Sequence, residues 1–268
     1  MSGAVDWVPS EVDIDVPSSA RIYDYVLGGA HNFERDRLIG DQLAQVVPVR
    51  EMARLNRSFL RRAVLFLIDN GIRQFLDIGS GIPTVGNVHE IAHEADPSCR
   101  VVYVDYEPVA VAHSQLILRD DPQAVMVQSD LREPERVLND PETRRMLDFD
   151  QPIGLLMVGV LQFIGDADDP AGVIARYRDA LPSGSYLALS HFTPDNMEEG
   201  MAKAVGVFSH SAEPIHPRTH AQVTAMFDGL ELVEPGVVFT ANWRPESAAD
   251  QGDDPEHSGI YAGVARKP

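Results

Sequence analysis

The sequence predicts an α/β protein built on a mostly parallel sheet with helices on both faces. Five short apolar runs alternate with helical segments through the middle of the 268-residue chain. These runs are RQFLDI, CRVVYVD, AVMVQ, PIGLLMV and SYLALSH. Because parallel strands are joined by helical crossovers, this alternation predicts right-handed βαβ units and a sheet that is covered on both sides.

The segments outside this core have their own patterns. An amphipathic helix is predicted from Arg50 to Asn70, with apolar residues at helical spacing on one side and Gly71 in the position of a C′ residue. LELVEPGVVF and GIYAGVARK are predicted as two closing strands. The expected organisation is a flexible acidic lead-in (1–16) and a single domain (17–268), divided into a helical N-terminal cover or lid (17–73), a core (74–192), a helical insertion (193–228) and the closing strands (229–268).

Composition excludes several classes of partner. The chain has 22 basic and 41 acidic residues, giving a formal net charge of minus 19. This charge repels nucleic acids and anionic lipid surfaces, so neither is an expected partner. The acidic N-terminus lacks the apolar stretch of a signal peptide and no segment is long enough to cross a bilayer, which predicts a cytoplasmic protein.

No metal site is predicted. Cys99 is the only cysteine, which rules out an intramolecular disulfide and a multi-cysteine metal centre. His210, His216 and His220 are irregularly spaced around two prolines, so we interpret them as histidines of a loop.

A glycine loop follows the first predicted strand in the stretch FLDIGSGIPTVGNVHE. Asp77 ends the strand, and Gly79 and Gly81 can adopt positive φ and let backbone approach a ligand closely. A pyrophosphate needs free N–H groups at the start of the next helix, and Pro83 has none to give. The loop therefore favours a nucleoside over a dinucleotide, which opposes an NAD-dependent dehydrogenase.

Acidic residues also end the next two strands. Asp105 ends the second, where a carboxylate can accept hydrogen bonds from both hydroxyls of a ribose. Ser129, Asp130 and Leu131 follow the third, where a carboxylate and a backbone N–H can pair with an adenine edge. Each acid alone could be a helix cap or a turn residue. Three acids at three successive strand ends, beside the glycine loop, predict a pocket for an adenosine that carries no phosphate.

These motifs resemble a known family. LDIGSG, VVYVD and QSDL are similar to the cofactor motifs of class I S-adenosylmethionine-dependent methyltransferases. More narrowly, YDYVLGG, GIPTVGNVHE, DGLELVEPG, NWRP and YAGVARKP resemble the actinobacterial S-adenosyl methyltransferase family that was once catalogued as a domain of unknown function. The likeness runs from about residue 17 to residue 268. It implies a Rossmann-like fold with a seven-stranded sheet, S-adenosylmethionine as cofactor and methyl transfer as activity.

The resemblance also implies roles for individual residues. The loop from Asp77 through Gly79, Ser80 and Gly81 would surround the methionyl part of the cofactor. Asp105 would bind the ribose. The adenine would lie between Tyr106 on one side and the segment of Ser129, Asp130 and Leu131 on the other.

Other residues are candidates for the acceptor and for catalysis. His191 follows the fifth strand and could be a general base; the alternative is a histidine packed at a strand end. Gln162 and Phe163, after the fourth strand, are expected to line the same mouth.

The segment RIYDYVLGGAHNFERDR could close over the site as a lid or cover it permanently. Gly28 and Gly29 leave its backbone free to hinge. Arg21 could then meet the cofactor carboxylate, and Asn32 and Phe33 are placed in the acceptor pocket.

Two functions follow. The first is an enzyme that transfers a methyl group to a small-molecule acceptor. The second is a catalytically silent protein that binds S-adenosylmethionine as a sensor or scaffold, an alternative raised by Gln162, which stands where many methyltransferases have a histidine.

Overall fold

The computed structural model describes residues 12–83, 86–209, 211 and 213–268, so most of the predicted acidic lead-in lies outside the described residues. The strands within these ranges are β1 (Gln74–Ile78), β2 (Arg100–Asp105), β3 (Ala124–Gln128), β4 (Gly154–Val158), β5 (Tyr186–Phe192), β6 (Glu231–Leu232), β7 (Val238–Phe239) and β8 (Ile260–Arg266). The α-helices are α1 (Ser19–Val26), α2 (Glu34–Ala44), α3 (Val49–Asp69), α4 (Val88–Ala95), α5 (Pro108–Ile117), α6 (Pro134–Leu138), α7 (Pro141–Met146), α8 (Pro170–Ala180), α9 (Glu198–Phe208), α10 (His220–Ala225) and α11 (Ala248–Gln251).

The strands form one mixed sheet in the order β3-β2-β1-β4-β5-β8-β6. Strands β1 to β5 are parallel, and β8 runs antiparallel to β5. This confirms the predicted α/β class with a mostly parallel sheet. The order changes direction at β1, with β2 and β3 on one side and β4 and β5 on the other, and ligands of such sheets bind beyond the carboxyl ends at this point.

Both faces of the sheet are buried under helices. Along β1, Phe75 packs with Phe59 of α3, whereas the next residue, Leu76, packs on the opposite face in the cluster that contains Tyr177 of α8. All of these side chains are fully buried. Because successive strand residues point to opposite faces and both faces are apolar, the strands appear in the sequence as continuous apolar runs.

The closing part of the sheet differs from the prediction. LELVEPGVVF was expected to be one strand, and the structure divides it into β6 and β7, which gives eight strands where seven were predicted. A turn separates them, in which the Gly236 N–H donates to the Val233 carbonyl oxygen (2.8 Å) and Gly236 has a φ of +86°. Both short strands pair with β8, whose other edge is taken by β5.

A third apolar cluster joins the N-terminal helices to α9. It includes Ile22 of α1, Leu43 of α2, Met52 of α3 and Phe208 of α9, all buried. The predicted helix from Arg50 to Asn70 is confirmed as α3, and Gly71 follows it with a φ of +90°. No helix in the described ranges has the length and apolar character needed to cross a membrane.

Candidate cofactor and acceptor site

A cavity of about 630 Å³ lies at the carboxyl ends of the parallel strands. Helix α1 contributes Ile22 and Tyr23 to its wall, and α3 contributes Asn56 and Arg57. The cavity brings together a large part of the predicted site, namely Gly79, Ser80, Gly81, Asp105, Tyr106, Ser129, Asp130, Leu131, Gln162 and Phe163.

The glycine loop requires glycine at both positions. Gly79 has a φ of +68° and Gly81 a φ of +66°. Residues that carry a Cβ rarely adopt these left-handed conformations. A Cβ on Gly79 would also lie 2.1 Å from Cγ2 of Val160. The Gly79 N–H donates to the Val104 carbonyl oxygen (2.8 Å), so the loop is fastened to the end of β2.

Asp105 organises the centre of the site. Its carboxylate is buried and accepts hydrogen bonds from the N–H groups of Gly81 (2.7 Å, to Oδ2) and Glu107 (2.9 Å, to Oδ1). Each carboxylate oxygen has two acceptor positions, so one remains on each for a ligand. Burial raises the pKa of Asp105 to about 6, against the lowering effect of these two backbone bonds.

The end of β3 supplies a second polar wall. Arg132 pairs with Asp130 through Nε (3.0 Å to Oδ2) and keeps the pKa of that carboxyl below its usual value, although partial burial opposes this. The hydroxyl of Tyr177 donates to the Leu131 carbonyl oxygen (3.1 Å) and holds the loop in place. Tyr106 is 45% exposed at the cavity edge, where a planar ligand could stack on its ring.

Three polar atoms that line the cavity lack hydrogen-bond partners among the described residues. They are Oγ of Ser80, Oγ of Ser129 and Oε1 of Gln162, and all are buried. Buried polar atoms are nearly always satisfied in native proteins, so unpaired atoms around a cavity indicate groups that a ligand satisfies.

Asp77 lies beside the large cavity. It is the second-last residue of β1, and with Arg57, Ser80 and Gly81 it lines a smaller pocket. Burial raises the pKa of Asp77 to about 7. The charge of Arg57 lowers this pKa, and the charge of Asp105 raises it.

Arg21 does not line the cavity. Its guanidinium is buried and pairs with Asp36 (3.0 Å) and Glu107 (3.2 Å), and it also donates to the Val16 carbonyl oxygen. The geometry therefore gives no support to Arg21 as the partner of the cofactor carboxylate. Its charge is used to hold the N-terminal helices on the loop after β2.

Asn32 and Phe33 also lie outside the cavity lining. The Asn32 side-chain NH₂ donates to Asp24 (2.8 Å) and to the Gly29 carbonyl oxygen (2.9 Å), which fixes the turn between α1 and α2. The Phe33 ring packs under the guanidinium of Arg21, 5.1 Å from its centroid. Both residues thus serve the packing of the N-terminal helices, and their place in an acceptor pocket stays a prediction.

His191 is buried behind the site and is not among the lining residues. Its Nδ1 donates to the Phe192 carbonyl oxygen (2.8 Å), and its Nε2 accepts from Nη1 of Arg218 (2.9 Å). Burial lowers its pKa to about 4, so the ring is neutral at pH 7. Both ring nitrogens are used within the protein, which favours the alternative of a histidine packed at a strand end.

Sequence reasoning missed several lining residues that come from outside the strand ends. Arg57 and Asn56 lie on α3, and His216 lies on the segment after α9. Asn56 had a detectable signal, because it is a polar residue among the buried positions of an amphipathic helix. No sequence signal distinguished His216, because it is one of three irregularly spaced histidines.

Comparison with known proteins gives the family. The sequence profile described as S-adenosyl methyltransferase matches residues 5–268. The chain belongs to the S-adenosyl methyltransferase family. The resemblance on its motifs is thereby confirmed, and S-adenosylmethionine is the cofactor of this family.

Two crystal structures are similar over the full chain. A DUF574 family protein from Streptomyces avermitilis is 40% identical, with a TM-score of 0.92 over 96% of this chain and 100% of that one. A protein proposed to be a methyltransferase from Thermobifida fusca is also 40% identical, with a TM-score of 0.91 over 98% and 99% of the two chains. The pyocyanin biosynthetic protein PhzM, at 16% identity and a TM-score of 0.51 over 92% of this chain and 62% of that one, shares the fold. No curated protein matches the sequence.

Proposed function

We propose that this member of the S-adenosyl methyltransferase family transfers the methyl group of S-adenosylmethionine to a small-molecule acceptor. The observation that carries the proposal is the extent of the cavity, which continues from Asp105 and Asp130 to Gln162 and Phe163. In the sheet order, β2 and β3 lie on one side of β1 and β4 on the other. The cavity thus has one end for a nucleoside and another, across the glycine loop, for an acceptor.

The residues present fit the cofactor. Asp105 has free acceptor positions for the ribose hydroxyls, and Tyr106 with the Asp130–Leu131 segment provides the adenine wall. Gly79 and Gly81 bring backbone close to the methionyl part, beside the unpaired hydroxyl of Ser80. In place of Arg21, we assign Arg57 to the cofactor carboxylate, because it lines the cavity at the glycine loop.

Bound S-adenosylmethionine supplies a methyl group that is already activated on a positively charged sulfur. The protein's own part is to hold the acceptor in line with this group and to exclude water. The glycine loop, Val160 and Tyr23 of α1 line the cavity. These groups determine how closely an acceptor approaches the methyl group.

A proton acceptor is needed only where the acceptor atom is protonated at neutral pH. Within the described residues, His216 is the histidine that lines the cavity. Its backbone N–H donates to the Gln162 carbonyl oxygen (2.7 Å), which ties it to the loop after β4. We therefore give His216 the role that the sequence assigned to His191.

The catalytically silent alternative is not favoured, since the cavity extends beyond the residues that the cofactor would occupy. An acceptor without phosphates or a nucleic acid backbone fits the net charge of minus 19. A cytoplasmic location remains the prediction made from the N-terminal sequence.

Transfer of tritium from methyl-labelled S-adenosylmethionine into a metabolite extract of the source organism tests the proposal. We expect one or a few labelled small molecules with the wild-type protein and none with Asp105→Asn, compared with the surface variant Asp150→Asn as a control. Calorimetry should show that S-adenosylhomocysteine binds and NAD does not. Tight NAD binding, or S-adenosylhomocysteine binding with no labelled product in any extract, would count against methyl transfer.

A further inference from the structure

The amide of Gln162 has a fixed orientation. Its Nε2 donates to the Gly159 carbonyl oxygen at 2.6 Å, and the flipped amide would place two oxygens at that distance. The opposite atom, Oε1, is buried and has no hydrogen-bond partner among the described residues. Gln162 as a whole is 2% exposed and lines the cavity.

The backbone around Gln162 is also held. Its carbonyl oxygen accepts from the His216 N–H (2.7 Å), and the Phe163 N–H donates to the Val160 carbonyl oxygen (3.1 Å). Oε1 therefore cannot reach another partner through a small shift of the loop. An unsatisfied buried acceptor destabilises the protein, so a ligand that donates to it binds more tightly.

The cavity that Gln162 lines is mostly apolar, with Glu213 and His216 as polar members of its lining. Val26 and Leu43 come from the N-terminal helices, and Phe163, Phe192 and Phe208 supply aromatic rings. Phe163 and Phe208 meet edge to face with their centroids 5.9 Å apart. Aromatic walls of this kind accept planar apolar ligands.

Asn56, the polar neighbour from α3, is already satisfied. Its Oδ1 accepts from the Ser190 hydroxyl (2.6 Å), and its Nδ2 donates to the Tyr23 hydroxyl (3.2 Å). The carboxylates Asp105 and Asp130 lie at the ends of β2 and β3, on the other side of β1. Oε1 of Gln162 is thus a fixed, neutral hydrogen-bond acceptor, and aromatic rings line the same cavity together with His216 and Glu213.

We propose that Oε1 of Gln162 accepts a hydrogen bond from an O–H or N–H group of an uncharged aromatic acceptor, and that this bond sets the acceptor's orientation. The inference rests on the proposed function and narrows its substrate class. The donor group on the acceptor need not be the one that is methylated.

The test compares two probes of the same shape on the complex with S-adenosylhomocysteine. 2-Naphthol can donate a hydrogen bond and 2-fluoronaphthalene cannot. For wild-type protein we expect 2-naphthol to bind about tenfold more tightly, the ratio that corresponds to one buried hydrogen bond. In Gln162→Met the two affinities should become equal within about twofold, with that of 2-fluoronaphthalene unchanged.

Each outcome decides. Equal affinities of the wild-type protein for the two probes, or no binding of either probe, overturn the inference. In both cases the proposed function stands as long as S-adenosylhomocysteine binds. Failure of S-adenosylhomocysteine to bind overturns both. If Gln162→Met does not fold, a crystal structure of the wild-type complex with 2-naphthol replaces it. A hydroxyl within 3.2 Å of Oε1 supports the inference, and a hydroxyl that points elsewhere contradicts it.

Discussion

Arg218 donates a hydrogen bond from Nη1 to Nε2 of His191 across 2.9 Å and thereby connects β5 to the loop after β4. Its Nη2 donates to the Ile164 carbonyl oxygen (2.9 Å) and to Asp166 (2.7 Å) on that loop. The same loop carries Gln162. His191 therefore acts as a neutral hydrogen-bond acceptor for Arg218. Arg218 in turn positions the loop that carries Gln162, which is one wall of the cavity.

This relationship predicts that the difference in unfolding free energy between the wild type and His191→Gln depends on pH. Glutamine keeps a hydrogen-bond acceptor for Arg218 but does not titrate. The pKa of His191 is about 4 in the folded protein and 6.5 in the unfolded chain, so the unfolded chain binds more protons between these values. The contribution of His191 is complete above pH 6.5 and is lost as the pH falls towards 4, by up to about 3 kcal/mol. Urea unfolding of both proteins should show the wild type losing its advantage over this range. A constant difference would contradict the assignment.

Much of this site follows from the sequence because strand ends can be located from local patterns. Asp105 and Asp130 follow apolar runs, and the topology of parallel sheets brings their carboxyl ends to one edge. Arg57 and His216 could not be placed in this way, since tertiary packing alone sets how α3 and the segment after α9 cross the strand ends. The sequence could not show that Arg21 pairs with Asp36 and Glu107, because these carboxylates meet it only through tertiary packing.

The proposal that Arg57, and not Arg21, binds the cofactor carboxylate gives a second prediction. Arg57→Met should weaken S-adenosylhomocysteine binding about 10- to 100-fold through loss of a charge-assisted bond to the carboxylate. Binding of 5′-methylthioadenosine, which has no carboxylate, should change by less than about twofold. Arg21→Met should instead leave both affinities similar and lower the free energy of unfolding by about 3 to 5 kcal/mol, because the buried carboxylates of Asp36 and Glu107 lose their positive partner. Calorimetry and urea unfolding distinguish the cases, and loss of affinity for both ligands in Arg57→Met would argue against a carboxylate contact.

Asp105 should make cofactor binding depend on pH. A ribose hydroxyl donates best to the ionised carboxylate, and the pKa of Asp105 is about 6, so affinity for S-adenosylhomocysteine should rise from pH 5 to pH 7 and then level off. Asp105→Asn should bind roughly 2 to 4 kcal/mol more weakly and lose this dependence. Titration calorimetry at several pH values measures both effects, with the exposed Asp150→Asn as the matched control. The same pH dependence in Asp105→Asn and the wild type would assign it to another group.

The two loop glycines should differ in their tolerance of a methyl group. Both substitutions to alanine cost about 1 to 2 kcal/mol for the left-handed backbone. Gly79→Ala adds a collision with Val160, whereas a Cβ on Gly81 meets no atom of the described residues within 4 Å. We expect Gly79→Ala to be the more destabilised in urea unfolding by about 1 to 3 kcal/mol, and Val160→Ala to recover part of that loss. Recovery of Gly81→Ala by the same change would show that the collision is not the cause.

The last prediction concerns whether residues 21–37 form a lid or a permanent cover. The structure gives Gly29 a packing reason, since a Cβ there would lie 2.0 Å from Oδ1 of Asp24, whereas Gly28 has a φ of +86°. Oδ2 of Asp24 accepts from the His31 N–H and from Asn32, both at 2.8 Å, so the turn is ordered by its own contacts. We therefore expect slow amide exchange in this segment without ligand, and a further slowing of α1 when S-adenosylhomocysteine fills the cavity that Ile22 lines. Helix α8, packed on the opposite face of the sheet from α3, is the control for global stabilisation. Fast exchange without ligand, followed by protection on binding, would make the segment a lid.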